Sequence, residues 1–197
     1  MKTRLALLTR QDSGQSMVEF ALVLPLVLMI ALGVVEVGYV LLDQQVVTKL
    51  TREGSNLISR DTSLLDAAAA MRSMSSGPVD FNTSSKLIFS VVKKGATTGS
   101  SNYDQLVLYQ RYEFGSFSAQ SQLQTRGSGT FSGAPDFQAV NSDNDTGLQV
   151  TNLPANLVAA RGGMIYVTEV FSRHPLITPF DRFGVTVPQT LYSIAYF

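Results

Sequence analysis

The first 60 residues show three successive patterns: a short basic peptide, a long apolar run and an amphipathic stretch. From Met17 to Leu42 the sequence reads MVEFALVLPLVLMIALGVVEVGYVLL, with two carboxylates as its only charged residues. As a helix this run would be about 39 Å long at 1.5 Å per residue, which exceeds the roughly 30 Å of a bilayer's hydrocarbon core. The pattern predicts one membrane-spanning helix, which we expect over residues 15–43.

Helical periodicity continues beyond the apolar run, from Gln44 to about Arg60. Apolar and small residues recur there at spacings of three and four, which places them on one face of a helix. They are Val46, Leu50, Gly54, Leu57 and Ile58. Such a face most often packs in a core, here against a sheet. A second short helix is predicted over residues 64–74 (LLDAAAAMRSM), because alanine favours helix and the following Gly77-Pro78 ends it.

Four later segments are rich in β-branched and aromatic residues, which is typical of strands. The predicted strands are Lys86–Val92, Gln105–Phe114, Met164–Ser172 and Gln189–Phe197. In the third strand one face is apolar except for Glu169. The predicted fold class is therefore α+β, with the long N-terminal helix packed on an antiparallel sheet of about four strands.

A polar segment, residues 115–152, separates the second and third predicted strands. Serine, glycine, threonine, asparagine and glutamine dominate it. It is too long for a plain hairpin and too polar for a core. We interpret it as a surface excursion with room for a short strand of its own, and as the contact surface most accessible to a partner.

The residues before the apolar run are basic. Residues 1–14 hold three basic residues and one acidic residue, a net charge of +2, whereas the remaining 12 basic and 14 acidic residues give −2. The positive-inside rule places residues 1–14 in the cytoplasm and the chain after Asp43 outside. A basic peptide that ends at Gly14, directly before such a helix, has the layout of a class III leader cut between Gly14 and Gln15.

A rival interpretation of the N-terminus is an ordinary secretory signal. Its apolar core would be residues 20–30, and it would be cut after Gly33. The apolar character continues well past Gly33 to Leu42, however, so the mature chain would begin with an exposed apolar stretch.

Two carboxylates and a proline interrupt the apolar run. Glu19 is either a simple boundary residue or a partner for the new α-amine of Gln15 after cleavage. Glu36 lies deeper, where it either reaches up to the outer interface or makes a polar contact between packed helices. Pro25 removes one backbone hydrogen bond and is expected to loosen the helix locally.

Composition excludes several classes of function. The absence of cysteine excludes disulfides and thiolate metal sites, and the charge balance offers no basic face for nucleic acid. We find no nucleophile elbow, phosphate loop or dinucleotide fingerprint. We interpret His174, the one histidine, as structural. Residues 141–147 (NSDNDTG) resemble the start of a calcium loop, but the glycine is seventh rather than sixth, so an Asx-rich turn is favoured. We predict no cofactor, no metal and no enzymatic activity.

Several motifs together resemble the N-terminus of TadE-like proteins, the pseudopilins or minor pilins of the tight-adherence (Tad, Flp) type IVb pilus system. The motifs are Gly14-Gln15-Ser16, Val18-Glu19-Phe20-Ala21-Leu22, Pro25, Glu36-Val37-Gly38 and Arg52-Glu53-Gly54. The similarity covers roughly residues 14–60. A weaker similarity lies near the C-terminus, at Tyr166–Phe171 followed by Pro175-Leu176 and Thr178-Pro179.

The resemblance implies a pilin-like fold and cleavage after Gly14 by a prepilin peptidase. It implies that Glu19, with Phe20 beside it, serves recognition or assembly, and that Pro25 and Glu36 serve helix packing. The chain would comprise a cytoplasmic leader (1–14), a transmembrane and assembly helix (15–43) and an outer α+β domain (44–197).

The implied function is that of a minor pilin in pilus assembly, initiation or a tip complex, supporting adhesion. It would reside in the inner membrane as a single-pass protein and then in the pilus at the cell surface. The implied partners are the prepilin peptidase, the major pilin, other minor pilins, the inner-membrane assembly platform and the membrane, but no nucleic acid. The alternative is an uncleaved, membrane-anchored binding module.

Overall fold

The computed structural model describes residues 12–180 and 188–197 of the chain. Two helices precede four strands, and one turn of 3₁₀ helix, Thr146–Leu148, lies between the second and third strands. The elements are α1 (Asp12–Ile58), α2 (Leu64–Met74), β1 (Ser85–Lys94), β2 (Leu106–Gly115), β3 (Met164–Arg173) and β4 (Thr190–Tyr196). The strands form one antiparallel sheet in the order β2-β1-β3-β4. The predicted α+β fold with a four-stranded sheet is confirmed.

The chain forms two compact units, and α1 contributes to both. The first, the helix unit, contains α1 up to Leu41 together with the segment that begins at Leu176 and ends before the C-terminal strand. The second, the sheet unit, contains Leu42–Pro175 and the C-terminal strand. Helix α1 runs through Pro25 without ending. Among the described helices it alone is long and apolar enough to cross a membrane, and its most apolar window has a mean hydropathy of 2.6 with no side chain buried.

In the sheet unit, the last four turns of α1 pack on one face of the sheet. The buried positions of α1 recur at spacings of three and four, as helical periodicity predicts. They are Val47, Leu50, Thr51, Gly54, Ser55 and Ile58. The predicted face was right at Leu50, Gly54 and Ile58, but it included Val46 and Leu57, which are only partly buried, and missed Val47, Thr51 and Ser55. The two hydroxyl residues are hydrogen-bonded: Thr51 Oγ1 donates to Val47 O and Ser55 Oγ donates to Ala195 O.

Gly54 is the point of closest approach between α1 and the sheet. A Cβ atom built on Gly54 would lie 2.8 Å from Cγ2 of Thr168, 3.1 Å from Cε of Met71 and 3.2 Å from Cε1 of Phe89. Real Cβ atoms almost never approach another carbon to 2.8 Å. The glycine therefore allows contact between helix and strand at a distance that any other residue would prevent.

The opposite face of the sheet is covered by the polar segment, which corrects the sequence interpretation. Residues 115–152 do not form a purely surface excursion, because Leu123, Ala139 and Leu148 are buried in a cluster with apolar side chains of β1, β2 and β3. The segment contributes isolated bridges but no named strand. A few apolar side chains at wide spacing are enough to cap a sheet face, and composition averaged over the segment hides them.

Gly54→Ala tests whether this close approach holds the sheet unit together. Alanine raises helix propensity by about 1 kcal/mol, but overpacking a buried contact costs about 1–3 kcal/mol. Because Thr168 is β-branched and stiff, we expect the contact to open and the melting temperature of the detergent-solubilised chain to fall.

The matched control is Gly38→Ala, since a Cβ at Gly38 would meet no atom within 4 Å. It should leave the melting temperature unchanged or raise it. Equal behaviour of the two variants in thermal unfolding by circular dichroism would contradict the structural reason for glycine at position 54.

Candidate functional site

The predicted processing site lies in the first turns of α1 and is fully accessible. Gly14 and the six residues after it are exposed, and a Cβ on Gly14 would meet no atom within 4 Å. Nε2 of Gln15 donates to Oε1 of Glu19 at 3.1 Å, one helical turn away. Lys2, Arg4 and Arg10 of the predicted leader lie outside the described residues. The arrangement leaves the Gly14–Gln15 bond and the Glu19 carboxylate open to another protein.

Phe20 and Pro25 lie on the same exposed stretch of helix. Phe20 is 64% exposed and is followed by apolar side chains that are also exposed for most of the run to Val35. In water such a surface would be strongly unfavourable, since each exposed side chain of this size forgoes about 1.5–3 kcal/mol of burial. The surface is suited to lipid or to other apolar helices.

Glu36 is the one carboxylate of the apolar run that is buried, at 1% exposure. It is covered by residues 176–180, which we call the strap. Oε2 of Glu36 accepts hydrogen bonds from the backbone N–H of Thr178 (2.8 Å) and from its hydroxyl Oγ1 (2.6 Å), and Oε1 accepts one from the N–H of Ile177 (3.3 Å). The carboxylate is therefore buried away from solvent within a single chain. It is bound by a distant part of its own chain.

Gly33, one turn before Glu36, leaves space on α1 for a second contact with the strap. Phe180 is 7% exposed, and its ring atom Cζ lies 3.6 Å from the position of a Cβ on Gly33. Gly33 and Glu36 are three residues apart and therefore lie on one face of α1. The helix consequently offers the strap an apolar contact and a charged acceptor side by side, and the charge is stabilised because donors surround it.

A second polar contact holds α1 in the sheet unit just beyond the apolar run. Nδ1 of the buried His174 lies 2.6 Å from Oδ2 of Asp43. The backbone N–H of His174 donates to Gln189 O, and Nε2 of Gln44 donates to Tyr192 O. This geometry gives His174 a structural role that joins α1 to the ends of β3 and β4.

A buried carboxylate on β3, Glu169, anchors the segment that covers the sheet. It accepts hydrogen bonds from the hydroxyl of Ser121, from the backbone N–H of Gln122 at 2.7 Å and from the hydroxyl of Tyr192 at 3.0 Å. Arg111 donates to Ser121 at 3.0 Å and completes the cluster. The sequence signal was present, because Glu169 was the exception on an otherwise apolar strand face.

Two side chains of the Glu169 cluster, Tyr192 and Arg111, have shifted pKa values. Burial raises the pKa of the Tyr192 hydroxyl, and the nearby Glu169 charge raises it further, so the phenol stays a neutral donor. Burial also lowers the pKa of Arg111, an effect that Glu169 partly offsets. Ser121, Gln122 and Tyr192 all donate to the Glu169 carboxylate, and Arg111 donates to Ser121. Glu169 therefore holds residues 121–122 and Tyr192 against β3.

Residues 141–147 form a turn whose carboxylates bind within the chain. Oδ1 of Asp145 accepts from the N–H of Gly147 and caps the short 3₁₀ turn. Oδ2 of Asp143 accepts from Oγ1 of Thr97, and the side-chain amide of Asn102 donates to Ser142 O and Asp145 O. Over residues 12–180 and 188–197, no group of three or more acidic or histidine side chains could hold a metal ion.

Comparison with known proteins bears on the N-terminal helix. Comparisons with curated proteins and with solved structures give no match. A family model described as TadE-like protein matches residues 14–56. The matched range starts at the glycine of the predicted processing site and contains both carboxylates of the apolar run, Pro25 and the close-packed Gly54. Over residues 14–56 the predicted resemblance to TadE-like proteins is confirmed by this match to the family model.

Proposed function

We propose that this chain is a minor pilin of a Tad pilus system, made as a precursor and cut after Gly14 by a prepilin peptidase. The observation that carries the proposal is the TadE-like match over residues 14–56, since this family is structural and pilus-related. The exposed apolar helix supports it, because the same surface suits both lipid and the helical core of a filament.

The membrane-spanning part of the helix is proposed to end near Glu36 rather than at Asp43. Residues 15–35 alone would span about 32 Å as a helix, which matches a hydrocarbon core of roughly 30 Å. The strap is irregular at residues 176–178 and begins a 3₁₀ turn at residues 179–180. Irregular backbone does not lie exposed among lipid tails. Glu36 and the strap therefore belong at the outer interface, with the basic residues before Gly14 on the cytoplasmic side.

Assembly partners follow from the surfaces of the helix unit. The prepilin peptidase and the inner-membrane platform would meet the exposed start of α1, and the major pilin or other minor pilins would pack on its apolar side. The outer surface of residues 115–152 remains available for adhesive contact, as Val140 is 70% exposed. The alternative, an uncleaved membrane-anchored binding module, shares this topology and differs in whether residues 1–14 are lost.

Gly14→Val tests processing. A β-branched side chain beside the scissile bond should block access of the peptidase, so the membrane-extracted protein should keep Met1, whereas the unchanged chain should begin at Gln15. Intact mass and N-terminal sequencing, with and without an active prepilin peptidase, measure this.

The control for processing is Gly38→Val, which introduces the same side chain at another open position of the same helix. It should be cut normally. An unchanged chain that retains Met1 in the presence of the peptidase would favour the uncleaved anchor, and a chain that begins at Val34 would indicate a secretory signal.

Glu19→Gln tests assembly separately from processing. The glutamine keeps the size of the side chain but loses the charge that would pair with the α-amine of Gln15 in the mature protein. We expect loss of piliation, while Glu19→Asp, which retains a carboxylate, should keep part of it. Normal piliation and normal cleavage in Glu19→Gln would remove the role assigned to this residue.

Glu36→Ala tests the strap. Hydrogen bonds to a charged group contribute about 1.5–3 kcal/mol each, so their loss should speed amide exchange of residues 176–180 by about tenfold or more. Thr178→Val removes only the hydroxyl donor and should have a smaller effect.

Ile177→Ala is the control for the strap, because Ile177 contributes its backbone N–H and its side chain is 54% exposed. Exchange should then stay slow. Hydrogen-exchange mass spectrometry in detergent micelles measures all three variants, and unchanged protection in Glu36→Ala would show that the strap is held by other contacts.

A further inference from the structure

One edge of the sheet is open beside a groove that carries two arginines, and this feature lies wholly within the sheet unit. We propose that the groove between α1 and β4 binds an extended, acidic segment of another protein, which adds to the sheet as a fifth strand. The proposal does not depend on processing or on the helix unit.

The two edges of the sheet differ in how their backbone groups are satisfied. The edge formed by β2 is covered by the chain itself: Ala139 N–H donates to Tyr109 O, Val150 N–H to Leu106 O, and Arg111 N–H to Phe137 O. A covered edge is protected from pairing with another chain.

Along the β4 edge, no hydrogen bond from the described part of the chain reaches the outward backbone groups of residues 194–196. Tyr166 and Phe197 exchange both of their backbone hydrogen bonds. Along an antiparallel strand, residues that bond to the neighbouring strand alternate with residues whose backbone groups point the other way. The N–H and C=O groups of Ala195 therefore also point toward β3. Those of Ile194 and Tyr196 point away from the sheet. Further along, the outward carbonyl of Tyr192 is taken by Gln44. The free edge thus begins where the contact with Gln44 ends.

A groove of about 620 Å³ runs along this free edge. Its lining comes from α1 and from the end of the chain, namely Arg52, Glu53, Ser55, Asn56, Arg60 and residues 194–197. Its volume lies within the usual range for ligand pockets. A strand added beside β4 would occupy it and would place its side chains against α1.

The charge of the groove selects the chemistry of that strand. Arg52 and Asn56 lie one turn apart on α1, and Arg60 follows at the same spacing in the turn just after α1 ends. Among the described residues the guanidinium group of Arg52 makes no hydrogen bond or ion pair. The guanidinium group of Arg60 uses only Nε, which donates to Asn56 Oδ1 at 3.0 Å. Among the side chains that line the groove, Glu53 contributes the single opposing charge. Two guanidinium groups with free donors favour carboxylates, which they bind in bidentate fashion.

The same charges argue against a second copy of this chain as the occupant. Two β4 edges paired by a twofold axis would bring Arg52 and Arg60 of both copies along one seam. Like charges that face each other across an interface oppose association. An acidic strand meets both requirements of the groove, since it supplies backbone partners for Ile194 and Tyr196 and carboxylates for the arginines.

The experiment uses the full chain in detergent and a fluorescent peptide of alternating valine and glutamate. Fluorescence anisotropy should show saturable binding, and hydrogen exchange of residues 194–196 should slow. A valine–lysine peptide of the same length should bind at least about tenfold more weakly, because it places ammonium groups against guanidinium groups. A valine–glutamate peptide N-methylated at alternate residues should lose binding, because it cannot pair with the edge.

Variants of the protein distinguish binding in the groove from non-specific electrostatic attraction of the peptide. Arg52→Gln and Arg60→Gln should each weaken binding of the valine–glutamate peptide several-fold, and together by about tenfold or more. Arg126→Gln, which removes an exposed arginine from the segment on the other face of the sheet, should change nothing.

Four results would overturn the proposal. The first is equal binding of the acidic and basic peptides, and the second is binding that tolerates N-methylation or the double arginine variant. The third is self-association through residues 194–196 that Arg52→Gln strengthens, which would assign the edge to a second copy of the chain. The absence of saturable binding of the acidic peptide at about 1 mM would likewise overturn it.

Discussion

The contact at Gly54 is the constraint on which the sheet unit depends. Without a side chain at this position, α1 approaches the sheet closely enough for Thr168 and Phe89 to pack against helix backbone. The same approach brings Ser55 within hydrogen-bond distance of Ala195 O and Gln44 within reach of Tyr192 O, so the edge strand β4 is held by the helix as well as by β3. A helix that sat higher on the sheet would lose these bonds, and β4 would be attached by one neighbour alone.

Two buried carboxylates solve a related problem, which is how to hold irregular backbone whose N–H groups have no partner in a helix or a sheet. Glu169 gathers Ser121 and Gln122 from the segment over the sheet, and Glu36 gathers Ile177 and Thr178 from the strap. A carboxylate is suited to this task because it only accepts, and several backbone and hydroxyl donors converge on one group. The free-energy cost of burying its charge is offset only if these donors are in place. Each carboxylate therefore favours the one backbone conformation of its segment that directs the donors toward it.

The regular elements were predictable because their signals are local. Both helices and the approximate bounds of the four strands along the chain follow from periodicity and residue type, and β3 differs from its predicted range by a single residue. The order β2-β1-β3-β4 within the sheet was not predicted. The buried stripe of α1 was predicted less well, because Thr51 and Ser55 are polar and become buried only through hydrogen bonds to backbone. The cover over the sheet and the partner of Glu36 were not predictable in this way. Leu123 and Leu148 are isolated in polar sequence, and the strap lies 141 residues or more beyond the carboxylate that it binds.

The different states of the two helix carboxylates bear on how such a chain would leave the membrane. Glu36 already has its donors within its own chain, so moving the helix from lipid into a protein filament changes little around it. Among the described residues, Glu19 accepts a side-chain hydrogen bond from Gln15 alone, one turn away and on an exposed face. In an apolar filament core this charge would be desolvated and would need a cation, and the α-amine created by cleavage is the nearest one that the chain itself supplies. Cleavage would therefore do more than shorten the helix. It would provide the counter-charge that lets an exposed carboxylate enter an apolar environment, which makes assembly conditional on processing.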